Sequence, residues 1–288
     1  MKKLKSIIND IRTATDKTTP EFTQLLWQLI CYSPKVAVRY PVNLLMDEAT
    51  KFSLKANDAY FSKSDLEFNG FIWGEGSRKI LLTHGWASKA ADFADLITAL
   101  RAIPDTQIIA FDAPGNGSSE GEWSNLLIYV NAVKAIIKEY GEPEVLIGHS
   151  LGAMANVFTL EQTGIRPKQL ISLTPLVNLK ENFKATLNAN DVPVEAQEVF
   201  FQDFRDLFKD NFSTFVLNAR YAFGPELKHW IAYDEEDAIA PYPYLQDFLS
   251  TRPFIVSKPF TGAGHDKILR EPTMVSDVVA LVKETLSN

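Results

Sequence analysis

The sequence predicts an α/β protein with a mostly parallel, doubly wound sheet, and two observations support this. Short apolar runs recur along the chain, and they are continuous rather than alternating, as in strands covered on both faces. Segments with apolar residues at helical spacing separate these runs. Of the 288 residues, 46% are hydrophobic, so the chain has enough apolar material for a large core.

Six apolar runs are the predicted strands of this core, each ending at a loop. They lie in "RKILLTHGW", "TQIIAFDAPG", "PEVLIGHS", "QLISLTP", "HWIAYDEED" and "PFIVSKPFTGAGHD". Between them, "ADFADLITALRAI" and "LLIYVNAVKAIIKEYG" have helical spacing, and Gly141 is expected to end the second helix. A last helix is predicted from about Thr273 to Leu286.

Two helical regions flank or interrupt this core. Residues 1–50 are predicted to form an N-terminal helical extension, in which Thr19 and Pro20 are suited to begin a helix. Residues 177–226 interrupt the strand and helix alternation, and they are predicted to form a helical cap over the sheet. The α/β core would then consist of residues 51–176 and 227–288.

Composition restricts the class of partner. The formal net charge is -7 and no long basic run is present, which argues against nucleic acid and favours a small molecule. The single Cys31 cannot form an intramolecular disulfide, and no clustered His and Cys residues suggest a metal site. A cytoplasmic location is expected, because the chain opens without the apolar run of a signal peptide and has no bilayer-spanning stretch.

The first helix is amphipathic, with Leu4, Ile7, Ile8 and Ile11 on one face and basic residues around it. Such a helix can lie on a membrane surface. Because three helical turns would anchor poorly to a membrane, we expect the helix instead to dock on its own protein or on a second copy of the chain. The second arrangement would be a homodimer.

Ser150 is the candidate nucleophile, since it occupies the centre of the G-x-S-x-G pattern in "LIGHSLGA". An apolar strand leads into this turn, and small residues that can begin a closely packed helix follow it. A helix N-cap role for Ser150 is the structural alternative. A serine hydroxyl also needs a base, a group that orients the base and donors for the oxyanion.

His265 is the best candidate for the base among the four histidines. His84, His149 and His229 are expected to have packing or hydrogen-bonding roles, whereas His265 follows the last strand in a glycine-containing loop. The orienting carboxylate is expected in "AYDEEDAIAP", where Asp237 is preferred and Asp234 is the alternative. Backbone N–H groups of Leu151 and Trp86 are the candidate oxyanion donors.

Taken together, these motifs resemble those of the α/β-hydrolase fold superfamily over roughly residues 70–288. The resemblance rests on "LLTHGW", "FDAPGNGSS", "GHSLGA", "DAIAP" and "GAGHD", which occur in the family's order. It implies a serine hydrolase with nucleophile Ser150, acid Asp237, base His265 and oxyanion donors Trp86 and Leu151, under a helical cap. No metal or organic cofactor is expected.

Two departures from the family's pattern bear on the expected loop contacts and on the expected class of substrate. Asn116 replaces a histidine of many relatives, which should alter loop hydrogen bonds without affecting the three catalytic candidates. The "HGW" segment lacks the further glycines of some lipases, which argues against a bulky lipid ester. A serine nucleophile also argues against the dehalogenase and epoxide hydrolase branches.

Phenylalanines at positions 200, 204, 208, 212 and 215 recur at helical spacing in the cap. They are expected mainly to attach the cap to the core, and Phe204 and Phe208 are candidates for an apolar substrate pocket. The predicted function is hydrolysis of a small to medium, partly apolar ester or thioester. Acyl transfer, C–C bond hydrolysis or a non-catalytic ligand receptor remain alternatives.

Overall fold

A computed structural model describes residues 2–38, 40–209 and 215–287, and an eight-stranded sheet forms its centre. The strands are β1 (Thr50–Asp58), β2 (Ser64–Trp73), β3 (Arg78–Thr83), β4 (Thr106–Phe111), β5 (Val145–His149), β6 (Gln169–Leu173), β7 (His229–Tyr233) and β8 (Val256–Pro259). Their order is β1-β2-β4-β3-β5-β6-β7-β8, and β3 to β8 run parallel. The predicted doubly wound α/β fold is therefore confirmed.

The antiparallel hairpin of β1 and β2 was not singled out from the sequence. Strand β2 also pairs antiparallel with β4, which joins the hairpin to the parallel strands. Lys51, Ser53 and Lys55 on β1 are exposed, because β1 is the edge of the sheet and one of its faces is open to solvent. Such a strand lacks the continuous apolar run that identifies β3 to β7.

Helices cover both faces of the sheet. They are α1 (Lys2–Thr13), α2 (Pro20–Cys31), α3 (Val42–Asp47), α4 (Ala94–Leu100), α5 (Leu126–Tyr140), α6 (Leu151–Thr163), α7 (Leu179–Ala189), α8 (Val194–Phe208), α9 (Leu217–Arg220), α10 (Tyr242–Ser250) and α11 (Pro272–Ser287). One apolar core lies between the sheet and α5 and α6, and a second lies between the sheet and α4 and α11. Gly141 ends α5 with a φ of 88°, as predicted.

The N-terminal extension is packed on the rest of the chain. Ile7 and Ile11 of α1 are buried, and α1 lies against α2. Helix α2 begins after Thr19, whose side chain accepts the N–H of Phe22, with Pro20 as its first residue. The apolar face of α1 thus docks on its own protein. No helix in the described part of the chain is long and apolar enough to cross a bilayer.

Asn116 ties the extension to the core. Its side-chain oxygen accepts the hydroxyl of Ser33 at 2.6 Å, and its amide donates to Ser124 at 3.0 Å and to the carbonyl of Pro114 at 3.2 Å. None of these hydrogen bonds is to Ser150, Asp237 or His265. The residue that departs from the family pattern therefore anchors the segment that follows α2.

Helices α7, α8 and α9 lie between β6 and β7, in the region predicted to form the cap. Helices α7 and α8 are in contact with α2, and α9 is in contact with α6. The indole N–H of Trp27 on α2 donates to Asp203 on α8 at 2.6 Å. The Trp27 ring also lies within 6.2 Å, centroid to centroid, of the rings of Phe200, Phe204 and Phe208. Phe212 falls outside the described residues. Helix α2 of the extension and helix α8 are thus packed together, and we call this pair of helices, with α7, the roof.

Candidate active site

Ser150 lies on a sharp turn between β5 and α6. Its backbone has φ 52° and ψ -119°, a left-handed conformation that non-glycine residues rarely adopt. The flanking glycines are required by close contacts: a Cβ on Gly152 would lie 2.2 Å from the carbonyl oxygen of Thr83, and one on Gly148 would lie 2.5 Å from the Cα of Ala153. The glycines of the G-x-S-x-G pattern therefore allow close packing around Ser150, which is 3% exposed.

A chain of hydrogen bonds connects three of the predicted site residues. The Oγ of Ser150 lies 2.8 Å from Nε2 of His265, and Nδ1 of His265 lies 2.7 Å from Oδ2 of Asp237. With Nδ1–H donating to the carboxylate, Nε2 is free to accept the serine proton. The structure thus brings together the nucleophile, base and acid candidates, which are 115 and 28 residues apart along the chain.

Asp237 is held as an acceptor. Its second oxygen, Oδ1, accepts the backbone N–H groups of Ile239 at 2.8 Å and Ala240 at 3.0 Å. Burial acts to raise the pKa of Asp237, but the hydrogen bond and charge of His265 and these two N–H groups outweigh burial, so the net pKa is lowered. The carboxylate therefore stays ionised beside the imidazole.

Asp234, the alternative acid, has a different contact set. Its Oδ2 accepts the N–H of Gly264 at 2.7 Å and its Oδ1 accepts the N–H of Glu236 at 3.0 Å. It therefore links the loop after β7 to the loop that holds His265, without touching the imidazole. Glu235 and Glu236 are exposed, as expected of a solvated cluster.

The loop of His265 is also held by hydrogen bonds from β5 and from the segment after β6. The backbone carbonyl of His265 accepts from Nε2 of His149 at 3.0 Å and from the hydroxyl of Thr174 at 3.3 Å. Burial and the neighbouring His265 lower the pKa of His149 to about 3, so this ring is neutral. His149 therefore supports the loop of the candidate base, His265. Glycines 262 and 264, both with positive φ, shape the loop.

The two candidate oxyanion donors are placed beside the nucleophile. Leu151 follows Ser150 at the start of α6, and Gly85 is so close that an added Cβ would lie 3.0 Å from the Cβ of Ser150. In the described part of the chain, the N–H groups of Trp86 and Leu151 donate to none of the backbone carbonyls that hold loops, turns and helix ends. Ala87, which follows Trp86, has a φ of 53°, so the chain turns sharply directly after Trp86.

The peptide group between Gly85 and Trp86 is held in place by hydrogen bonds to its carbonyl oxygen, the carbonyl of Gly85. That oxygen accepts from Nδ1 of His84 at 2.6 Å, from the hydroxyl of Tyr129 at 2.8 Å and from the N–H of Ser88 at 3.4 Å. Nε2 of His84 accepts the N–H of Ala113 at 2.9 Å, so the ring proton is on Nδ1. Since a trans peptide directs N–H and C=O oppositely, the Trp86 N–H faces away from these donors.

A cleft of about 410 Å³ opens above Ser150 and His265. Its walls come from α2, the Trp86 loop, α6, α7 and the loop after Asp237; they include Leu29, Ile30, Trp86, Leu151, Leu176, Leu179, Asn182, Phe183, Thr186, Ala238, Ile239 and Asp266. Sequence reasoning missed Leu29 and Ile30, because only long-range packing brings α2 to the site. Phe204 and Phe208 line a separate small cavity next to this cleft.

One group in the described residues brings three potential metal ligands within 4.8 Å of one another: His149, His265 and Asp266. Both ring nitrogens of His265 are already paired with Ser150 and Asp237, and Nε2 of His149 donates to a carbonyl. This donor set suits proton transfer better than metal ligation.

A family model described as the alpha/beta hydrolase family matches residues 80–279. The match covers more than half of the chain, and it includes Ser150, Asp237 and His265. The protein therefore belongs to the alpha/beta hydrolase family.

Solved structures of hydrolases share the fold. An esterase of Pyrococcus furiosus has a TM-score of 0.60 and 16% identity, covering 89% of this chain and 97% of its own. A thermophilic esterase of Thermogutta terrifontis has a TM-score of 0.56 and 17% identity, covering 82% and 98%. The mouse alpha/beta hydrolase domain-containing protein 10 has a TM-score of 0.59 and 16% identity, covering 82% and 98%. No curated protein sequence matches the chain significantly.

Proposed function

We propose that this member of the alpha/beta hydrolase family is a serine hydrolase that cleaves a carboxylic ester or thioester through an acyl-enzyme intermediate. One observation carries the proposal: the unbroken chain of short hydrogen bonds from Ser150 through His265 to Asp237. A helix N-cap role for Ser150 is not supported, because its side chain makes no cap hydrogen bond.

Acylation begins when Ser150 Oγ attacks the substrate carbonyl carbon. His265 Nε2 takes the serine proton, and Asp237 stabilises the resulting imidazolium. The N–H groups of Trp86 and Leu151 donate hydrogen bonds to the carbonyl oxygen and stabilise the negative charge that develops on it. His265 then returns the proton to the departing alcohol or thiol.

Deacylation repeats these roles with water. His265 removes a proton from the water molecule that attacks the acyl-enzyme carbonyl, and the proton passes to Ser150 as the acid leaves. The residues therefore need no further co-reactant. Acyl transfer to another acceptor, or cleavage of an activated C–C bond, would use the same three residues.

The wall of the cleft supports a partly apolar substrate of small to medium size. Apart from His265 and the exposed Asp266, the described lining residues are uncharged. Burying a charged substrate group there would leave it unpaired, which is costly. A non-catalytic receptor would not require the Ser150 and His265 contact, so this alternative is less well supported.

Labelling with a fluorophosphonate and turnover of p-nitrophenyl acetate would test the proposal. We expect both in the wild type and neither in Ser150→Ala, whereas Ser250→Ala, an exposed serine at the end of α10, should behave as wild type. A wild type that is folded but neither labels nor turns over would contradict the proposal and favour the receptor alternative.

A further inference from the structure

We infer that the acyl chain of the substrate enters a small apolar chamber beside the residues that carry the oxyanion donors, and that Trp27 and Phe61 limit its length. The chamber is the small cavity lined by Trp27, Ile30, Cys31, Phe61, Trp86, Ser124, Asn125, Leu126, Leu127, Leu151, Leu179, Phe183, Phe204, Phe208 and Phe215. This inference rests on the proposed function, since it assigns the acyl part of the ester or thioester.

The chamber is the immediate neighbour of the cleft at Ser150. Five residues line both spaces: Ile30, Trp86, Leu151, Leu179 and Phe183. These shared residues make the two spaces neighbours, and the acyl chain would reach the chamber by displacing their side chains. Two of the five, Trp86 and Leu151, are the residues whose backbone N–H groups face the oxyanion.

The chemistry decides which part of the substrate lies in the chamber. The leaving oxygen or sulfur must lie at Nε2 of His265, which protonates it. His265, Asp266, Ala238 and Ile239 line the cleft but not the chamber. The leaving group therefore occupies the open end of the cleft, and the acyl chain extends to the opposite end, past Trp86 and Leu151.

The lining of the chamber suits an alkyl chain. No charged side chain lines it within the described residues. Its hydroxyl and amide side chains have protein partners: Ser124 accepts from the amide of Asn116, and the side-chain oxygen of Asn125 accepts the N–H of Ile128. The other lining residues are mainly aliphatic and aromatic, so the chamber favours apolar groups.

The size of the chamber sets a limit on chain length. Its volume is about 40 Å³, which is room for about three water-sized groups such as methylenes. Beyond it lies a surface groove of about 680 Å³, and Trp27 and Phe61 line both spaces. The two rings, 5.4 Å apart between centroids, form the partition between chamber and groove.

Two substitutions test this in opposite directions. Leu127→Phe should fill the chamber, because Leu127 is a half-buried lining residue, and it should lower turnover of p-nitrophenyl hexanoate relative to the acetate by about fourfold per excluded methylene. Phe61→Ala should join chamber and groove, and it should raise turnover of the dodecanoate relative to the hexanoate about tenfold or more.

Leu207→Ala is the matched control, because Leu207 lines the groove but not the chamber, and its chain-length profile should equal that of the wild type. In a series of acetate esters with longer alcohols, the dependence of turnover on alcohol length should be that of the wild type in both chamber variants. Thermal melts identify any variant that does not fold.

The result that overturns the inference is a wild-type chain-length profile in both folded variants, with Ser150-dependent hydrolysis intact; the proposed function would then stand. A shift in the alcohol series instead of the acyl series would also overturn it, since the chamber would hold the leaving group. Loss of all Ser150-dependent labelling and turnover in the wild type would remove the proposed function itself.

Discussion

The carbonyl oxygen of Gly85 shows how single residues prepare the site. Burial, with a smaller contribution from the nearby charge of Asp112, raises the pKa of Tyr129 well above its ordinary value, so its hydroxyl stays protonated and donates. Hydrogen bonds to a carbonyl oxygen polarise the peptide group, and the N–H of the same peptide group then becomes a stronger hydrogen-bond donor. Tyr129 and His84 therefore both orient and strengthen the Trp86 N–H.

Tyr129→Phe should lower kcat by about tenfold with little change in KM, because it weakens a contact made in the transition state and leaves the cleft unaltered. Steady-state kinetics on p-nitrophenyl acetate measure this. Tyr140→Phe, on the same helix but in contact with Phe52 rather than the site, is the control. An unchanged kcat in folded Tyr129→Phe would show that the orientation of this peptide does not depend on Tyr129.

The two aspartates after β7 differ in what they hold. Asp237→Asn should lower kcat by about 10³–10⁴-fold, because an amide cannot accept from both the imidazole and the backbone N–H groups. Asp234→Asn should have a much smaller effect, about tenfold, since it supports the loop at Gly264 rather than His265 itself. Equal losses in both variants would contradict the assignment of Asp237, and not Asp234, as the carboxylate that orients the imidazole.

At the scale of elements, the parallel sheet brings the site together. Strands β3, β5, β6, β7 and β8 are neighbours in that order, and their carboxyl ends lie at one edge. The loops after β3, β5, β7 and β8 carry Trp86, Ser150, Asp237 and His265, respectively. Four segments far apart in sequence therefore meet because of strand order.

The roof over this edge depends on a contact between α2 and α8. Trp27 is 4% exposed, and its indole N–H has Asp203 as its acceptor. Removing the acceptor leaves a buried donor unsatisfied. The same hydrogen bond holds Trp27 at its position between the chamber and the groove. Removing it should therefore change both the stability of the contact between α2 and α8 and the shape of the chamber.

Asp203→Ala should lower the free energy of unfolding by about 1–3 kcal/mol, since the indole N–H loses its acceptor. Asp206→Ala, on an exposed position of the same helix, should change it by less than about 0.5 kcal/mol. Urea denaturation followed by tryptophan fluorescence compares the two. Equal stability of both variants would show that solvent replaces Asp203 at no cost.

At the scale of the whole molecule, buried histidines make stability depend on pH. Burial lowers the pKa of His229 to about 3, and His149 has a similar value for the reasons given above. His229 lies between the hydroxyls of Ser172 and Tyr221 in the core. Below its ordinary pKa of 6.5, the unfolded state binds a proton that the folded state does not.

Stability should therefore fall as pH is lowered from about 6.5 towards about 3, by about 2 kcal/mol per histidine between pH 8 and pH 5. In His229→Gln the loss over this range should be smaller by about that amount, whatever the stability of the variant at pH 8. Thermal or urea unfolding at both pH values measures it. An identical loss in wild type and variant would show that His229 is protonated in the fold.

The sequence alone determined the strands β3 to β8, the turn at Ser150 and the order of Ser150, an aspartate after β7 and His265, because these depend on local apolar runs, glycines and chain order. The edge hairpin of β1 and β2 was not found, since its exposed residues lack that pattern. Only the tertiary structure decided that Asp237 rather than Asp234 meets His265, that Tyr129 supports the Gly85 carbonyl, and that α2 forms a wall of the cleft. These contacts join residues far apart in the chain, and their geometry is set by packing that no local pattern encodes.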